Sequence, residues 1–225
     1  SAASDVYKRQ PAYCGLDRAG VGGTGVGRGI TKDIAGPRES GFRKAAADAF
    51  FWHSFPLLHR IRKKGHSGGI LMKLQGTITA LVTPFTRNGG VNYEKLAELI
   101  EFQIENGAAG IALLSAAGEA STILPEEARH IIRTGVETAA GRIPILVGCG
   151  ASDTARTADA CREAESLGAD ALLVMAPYCD GVNADGMAAH FLSVAEAVQT
   201  PVILCHSPFR TGRPVELETL ARLRE

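Results

Sequence analysis

Reactive side chains gather at the end of an apolar run near the C-terminus of this sequence. The run VIL at 202–204 leads directly into Cys205 and His206, and Arg210 follows in the segment PFRTG. A thiol can carry protons in acid–base chemistry, more readily when its pKa is lowered. Thiol and imidazole groups at the end of a buried strand suggest an active-site wall, so this stretch is the first candidate site.

Four earlier apolar runs also end in residues with functional side chains or in unusual backbone segments. These ends carry, in chain order, Thr83, the segment SAAGE at 115–119, Cys149, and Tyr178 with Cys179. In a (β/α)8 barrel, the chemistry lies at the C-terminal ends of the strands. Because residues of this kind follow every predicted strand, the pattern favours a barrel.

The elements that position these residues repeat five times after Met72. Five apolar runs predict strands, namely TITALVTPF, AGIALLS, IPILVGCG, ADALLVMAP and PVILCHSP. Amphipathic segments such as NYEKLAELIEFQIENG alternate with them and predict helices. Nearly continuous apolar strands are typical of a parallel sheet covered by helices. By length alone, five units of about 30 residues fit either part of an eight-unit barrel or a complete doubly wound sheet.

Composition limits the class of protein. The chain has 225 residues and no formal net charge, which fits one globular domain or one domain with an appendage. Neutral charge gives no reason to expect a nucleic-acid or membrane partner, and no apolar run approaches the roughly 20 residues that span a bilayer. Five cysteines without a CxxC pair favour a reduced, cytoplasmic protein.

The first 71 residues differ from the rest. They contain a Gly-rich stretch and a basic cluster but no sustained period of helix or strand. The opening SAASDVYKRQ resembles translated sequencing adapter, and the codons for the SGG at 67–69 can contain a ribosome-binding core. We expect translation to start at Met72, residues 1–71 to be a non-native or unstructured extension, and residues 72–225 to form the N-terminal part of a barrel domain.

The motifs TALVTPF, SAAGEASTI, IPILVGCG, LLVMAPYC and CHSPFRTG resemble those of the dihydrodipicolinate synthase / N-acetylneuraminate lyase family. The resemblance runs from about Met72 to the end of the chain. It implies a (β/α)8 TIM barrel, of which the first five βα units are present. It also implies a lyase or aldolase that acts on pyruvate or a related 2-keto acid through a lysine Schiff base, without metal or organic cofactor, and that forms a homo-oligomer at full length.

Two binding sites follow from this resemblance. The family's second-strand motif, usually Gly-(Thr/Ser)-Thr-Gly-Glu, lies at 115–119, so backbone groups of Ala116, Ala117 and Gly118 are expected to hold the keto acid's carboxylate. Arg210 matches the arginine that holds the carboxylate of the incoming substrate. Glu119 is expected to accept backbone hydrogen bonds as a structural residue.

The family's proton relay is replaced residue by residue. Two tyrosines correspond to Cys179 and Cys205, and a hydroxyl-bearing residue corresponds to Ala116. Cys205 and Cys179 are therefore the candidate catalytic proton carriers. Adjacent residues on a regular strand point to opposite faces, so His206 is not expected to pair with Cys205.

One further expectation and two alternatives complete the sequence analysis. The family's imine-forming lysine lies at the end of a sixth strand, beyond Glu225, so the chain as given is expected to be inactive. Five units cannot close an eight-stranded barrel, so the first and fifth strands are expected to be exposed edges and the chain to be poorly soluble. The lost relay also fits a non-catalytic carboxylate-binding paralogue. The cysteines that end three consecutive strands could hold zinc, but buried cysteines acting as small hydrophobic residues are the commoner outcome.

Overall fold

Five short parallel strands form the sheet of this protein. The computed structural model describes residues 74–178 and 181–223; the predicted extension 1–71 and the candidate Cys179 lie outside the described residues. The strands are β1 (Ile78–Ala80), β2 (Gly110–Leu113), β3 (Ile145–Gly148), β4 (Ala171–Met175) and β5 (Val202–Cys205). Each coincides with one of the apolar runs that predicted it.

The order of the strands distinguishes the two folds that length left open. The sheet runs β1-β2-β3-β4-β5, and every neighbouring pair is parallel. A doubly wound sheet reverses its strand order at a switch point, as in the order 2-1-3-4-5. No reversal occurs among the described strands, so the barrel prediction is confirmed and the doubly wound alternative is wrong.

Helices follow the strands and pack on one side of the sheet. They are α1 (Tyr93–Glu105), α2 (Pro125–Ala139), α3 (Thr154–Ser166), α4 (Ala184–Glu196), α5 (Pro208–Thr211) and α6 (Leu217–Arg222). The N-cap residues of α1, α3 and α4 are Asn92, Asp153 and Asn183, and each side chain accepts a hydrogen bond from the backbone N–H three residues later. Pro125 occupies the first turn of α2, as the sequence predicted. In the part of the chain that the structure describes, no helix has the length and apolar character needed to cross a membrane.

The two faces of the sheet carry different residues. One face packs against the helices and contributes to the large hydrophobic core. The other, here called the inner face, carries a smaller cluster formed by Ala112, Leu146, Ala171 and Ile203. Because side chains alternate along a strand, Cys205 shares the inner face with Ile203. The fold therefore turns this thiol toward the interior of the barrel wall.

Candidate active site at the carboxyl ends of the strands

A tight turn at 115–119 follows β2 and forms one wall of the candidate site. The N–H of Gly118 donates to the Ser115 carbonyl at 3.1 Å, and the N–H of Glu119 donates to the Ala116 carbonyl at 3.3 Å. Leu114 and Glu119 bracket the turn with left-handed backbone angles, φ 50° and 53°. Non-glycine residues rarely adopt this region. The chain is thus bent sharply on both sides of Ala116 and Ala117.

Thr83, at the end of the first strand segment, holds this turn in place. Its buried hydroxyl donates a 2.7 Å hydrogen bond to the Gly118 carbonyl. A Cβ atom on Gly118 would lie only 3.0 Å from the Leu81 carbonyl oxygen and 3.2 Å from Thr83 Oγ1. Glycine at this position lets the turn approach the end of β1, and the hydroxyl fixes it there.

The turn leaves two backbone donors available. The Gly118 N–H is already bonded to Ser115, whereas the N–H groups of Ala116 and Ala117 have no hydrogen-bond partner among the described residues. Ala116 is exposed and Ala117 partly exposed. Consecutive free N–H groups in a turn form a concave site for an anion. Of the three residues predicted to hold a carboxylate, Gly118 shapes the turn, and Ala116 and Ala117 present its free donors.

Two buried polar side-chain atoms in the same turn lack hydrogen-bond partners. They are Ser115 Oγ and Glu119 Oε2. Glu119 is only 8% exposed, and the expected backbone donors do not reach its Oε2 within the described residues. Buried polar groups are nearly always hydrogen-bonded, so the missing partners of these two atoms call for an explanation.

Cys205 lies on the inner face at the end of β5, in register with Met175 of β4. Burial raises the pKa of its thiol to about 11. The charged form is disfavoured because the barrel wall removes the water that would solvate a thiolate. The thiol is therefore protonated at neutral pH, contrary to the activation by a lowered pKa that would favour a base.

His206 is the residue after Cys205, beyond the last residue of β5. Its Nε2 atom is buried, without a hydrogen-bond partner in the described ranges 74–178 and 181–223. No hydrogen bond joins it to the Cys205 thiol in those ranges.

Arg210 lies on the four-residue helix α5, directly after β5. Its side chain is exposed and forms no ion pair within the described part of the chain. Thr211 anchors the helical turn, because its hydroxyl is 3.1 Å from the Ser207 carbonyl and 2.9 Å from the Arg213 carbonyl. The guanidinium is thus carried by a fixed turn at the same end of the sheet as the 115–119 turn.

Cys149 does not belong to this site. It is buried in the core between sheet and helices, where its Sγ lies 3.4 Å from the Val147 carbonyl. The neighbouring Cys161 thiol of α3 and burial together raise the pKa of Cys149 well above its ordinary value. Among the described residues, no three His, Cys, Asp or Glu side chains are grouped so that they could hold a metal ion.

His190 of α4 packs in the core. It is 2% exposed, and its Nδ1 lies 2.9 Å from the Thr154 hydroxyl at the start of α3. Burial lowers its pKa, while the Asp153 carboxylate and the Met175 carbonyl act in the opposite direction.

Sequence reasoning missed two residues of the site. Thr83 was noted at a strand end, but its bond to Gly118 joins positions 35 residues apart. Ser115 occupies the position at which the motif usually has glycine, and this difference was the available signal. Of the lysines, the described residues include only Lys95, an exposed residue of α1 paired with Glu98.

Known proteins match the segment that contains this site. The profile of the family described as "Dihydrodipicolinate synthetase family" matches residues 73–225. The 4-hydroxy-tetrahydrodipicolinate synthase of Acetivibrio thermocellus is 42% identical over 150 residues, which cover 67% of this chain and 51% of that protein. The enzyme of the same name from Nitratidesulfovibrio vulgaris is 43% identical over 152 residues, covering 68% and 52%.

A solved structure of a dihydrodipicolinate synthase also matches this chain. The chloride-inhibited dihydrodipicolinate synthase from Acinetobacter baumannii, complexed with pyruvate, matches with a TM-score of 0.66 and 39% identity. The match covers 67% of this chain and 52% of that one. The chain therefore spans about half the length of the relatives that it matches.

Proposed function

Because the chain belongs to the dihydrodipicolinate synthetase family, we propose that the complete protein is a lyase or aldolase that binds pyruvate or a related 2-keto acid as a lysine Schiff base. The amine of that lysine adds to the keto carbon, and water leaves as the imine forms. The described residues supply binding and proton-handling groups for this chemistry. The pyruvate in the Acinetobacter baumannii synthase structure supports this choice of substrate class.

The pair of free N–H groups at Ala116 and Ala117 is the observation that carries the proposal. Both belong to a turn that the hydrogen bond from Thr83 to Gly118 holds near the end of the first strand segment, and neither has a hydrogen-bond partner among the described residues. Two adjacent backbone donors suit the two oxygens of a carboxylate, and they bind without any side chain. In this proposal they hold the keto acid's carboxylate while its carbonyl faces the interior of the barrel.

Arg210 would hold a second anionic group, such as the carboxylate of an incoming aldehyde substrate. Its guanidinium is exposed and has no acidic partner among the described residues, so it is available to a ligand. A guanidinium can bind a carboxylate through two parallel hydrogen bonds. Arg210 lies on the short helix α5, which follows the strand that ends at Cys205.

Cys205 would serve as a proton donor, directly or through an ordered water. A thiol with a pKa near 11 keeps its proton at neutral pH, so it can donate to a developing negative charge but is a poor base. Cys179 stays a proposed second proton carrier, on the family resemblance alone.

Trapping with borohydride tests the proposal. We expect pyruvate and borohydride together to add one reduced pyruvate irreversibly to the product of the complete gene. The matched control omits pyruvate, because borohydride alone leaves an amine unchanged. Absence of labelling at saturating pyruvate would overturn the lyase function.

The enzyme is favoured over a non-catalytic paralogue because the two curated relatives described above are synthases. A homo-oligomer of the complete protein is part of the proposal and rests on the family resemblance. Light scattering coupled to size-exclusion chromatography would give its mass, and a monomer at micromolar concentration would contradict the proposed homo-oligomer.

A further inference from the structure

The side chain of Ser115 is an unexplained polar group within the candidate carboxylate site. Its Oγ atom is buried and has no hydrogen-bond partner in the described part of the chain. Leaving a buried hydroxyl unpaired costs about 1–3 kcal/mol. Such an atom calls for an explanation, for example a catalytic role or a bound water or ion.

The backbone of Ser115 is fixed although its hydroxyl is free. Its carbonyl accepts the N–H groups of Gly118 at 3.1 Å and Ala120 at 3.3 Å. The hydroxyl can therefore move only by rotation about one side-chain bond. It directly precedes the unpaired N–H groups of Ala116 and Ala117, so three potential donors follow one another along the turn.

The sequence of the turn supports the same interpretation. The family motif usually places glycine first and hydroxyl-bearing residues second and third, whereas this chain has Ser115 followed by Ala116 and Ala117. The hydroxyl is thus present in the turn but at a shifted position.

We propose that the Ser115 hydroxyl donates a hydrogen bond to the carboxylate of the bound 2-keto acid, alongside the Ala116 and Ala117 N–H groups. The inference deepens the proposed function and rests on it for the choice of ligand. It makes Ser115 a substrate-binding residue and the turn a three-donor site.

Pyruvate binding to the product of the complete gene, measured by titration calorimetry, tests this role. Ser115→Ala and Ser115→Gly should each raise the dissociation constant about tenfold or more, because a hydrogen bond to a charged group is lost. Ser115→Thr keeps the hydroxyl and should bind nearly as wild type. Ser193→Ala, which removes an exposed hydroxyl from α4, is the matched control and should have no effect.

A double variant distinguishes a hydroxyl that binds pyruvate from one that only stabilises the turn. Ser115→Gly combined with Ala117→Thr shifts the hydroxyl to the family's usual third position, and it should recover most of the affinity lost in Ser115→Gly. Melting temperatures should stay within a few degrees of wild type throughout.

Each outcome separates this inference from the proposed function. If wild type binds pyruvate and Ser115→Ala binds equally well, the role of Ser115 is overturned. Wild type that binds pyruvate but is not labelled with borohydride overturns the lyase function, and the same titration still decides the role of Ser115. Wild type that does not bind pyruvate overturns both.

Discussion

The hydroxyl of Thr83 donates a 2.7 Å hydrogen bond to the carbonyl of Gly118, and this bond ties the end of the first strand segment to the turn that follows the second. Both residues are buried, so water cannot replace either partner. The position of the free N–H groups in the turn thus depends on a residue that is itself not a donor to ligand.

Replacing Thr83 should loosen that turn. Thr83→Val keeps the shape but removes the donor, so we expect the free energy of unfolding to fall by about 1–3 kcal/mol and the pyruvate affinity to fall with it. Denaturant unfolding and calorimetric titration of the complete protein measure the two effects. Thr83→Ser retains the hydroxyl and should lose less of both; equal losses in the two variants would contradict the role given to this bond.

The Cys205 thiol should react slowly with alkylating reagents at neutral pH. Only the thiolate is nucleophilic, and burial places its pKa at about 11. We expect the alkylation rate, followed by mass spectrometry of the peptide that contains Cys205, to rise up to about pH 11. A midpoint at or below about 8.5, the ordinary value for cysteine, would show that the site activates this thiol instead.

The same raised pKa predicts a loss of stability in alkali. Between the ordinary thiol pKa and about 11, the unfolded chain has released the Cys205 proton while the folded chain still holds it. The contribution is fully present below the unfolded pKa and is lost as pH rises through the folded one, about 3 kcal/mol in all. Cys205→Ala should have a shallower decline over this range, and an unchanged slope would contradict the assignment.

His190 should destabilise the fold in mild acid. Its pKa is lowered chiefly by burial, so the unfolded chain takes up a proton at a higher pH than the folded chain does. Stability from this group is present above the unfolded pKa of about 6.5 and is lost as pH falls below it. His190→Asn can keep a partner for the Thr154 hydroxyl but cannot titrate. Its unfolding free energy should therefore depend less on pH between 6.5 and 5 than that of wild type.

The chain of 225 residues, expressed alone, should associate through its strand edges. Among the described residues, β1 pairs only with β2, and β5 only with β4. Unpaired strand edges recruit other strands, so we expect light scattering to show polydisperse aggregates and borohydride to leave the chain unlabelled. The product of the complete gene is the control. A monodisperse, cooperatively melting chain of 225 residues would contradict this expectation.

The five strands were predictable because each is a nearly continuous apolar run, whereas the runs alone did not decide the order of the strands in the sheet. Alternation along a regular strand also led to the expectation that Cys205 and His206 do not pair, but His206 lies beyond the last residue of β5, so its direction stays a prediction. The raised pKa of the Cys205 thiol could not be predicted from the sequence, because it depends on how deeply the folded chain buries this side chain.

The geometry of the 115–119 turn was harder to predict. The left-handed conformations of Leu114 and Glu119 occur at residue types that do not favour them, so no local signal marks them. The Thr83 bond to Gly118 is a tertiary contact that no spacing rule contains. Only the replacement of glycine by Ser115 was visible beforehand, and its meaning needed the unpaired hydroxyl.

The sequential order of the strands has a consequence for how the protein is made. Ile78 pairs with Gly110 and Leu172 with Val202, so each strand finds its partner in the unit synthesised just before or after it. Contacts between neighbouring units close loops of only about 30 residues, which costs less chain entropy than pairing strands that lie farther apart in the sequence. The wall of this barrel can therefore grow strand by strand as the chain leaves the ribosome, and the turn at 115–119 can take shape before the last strands have been translated.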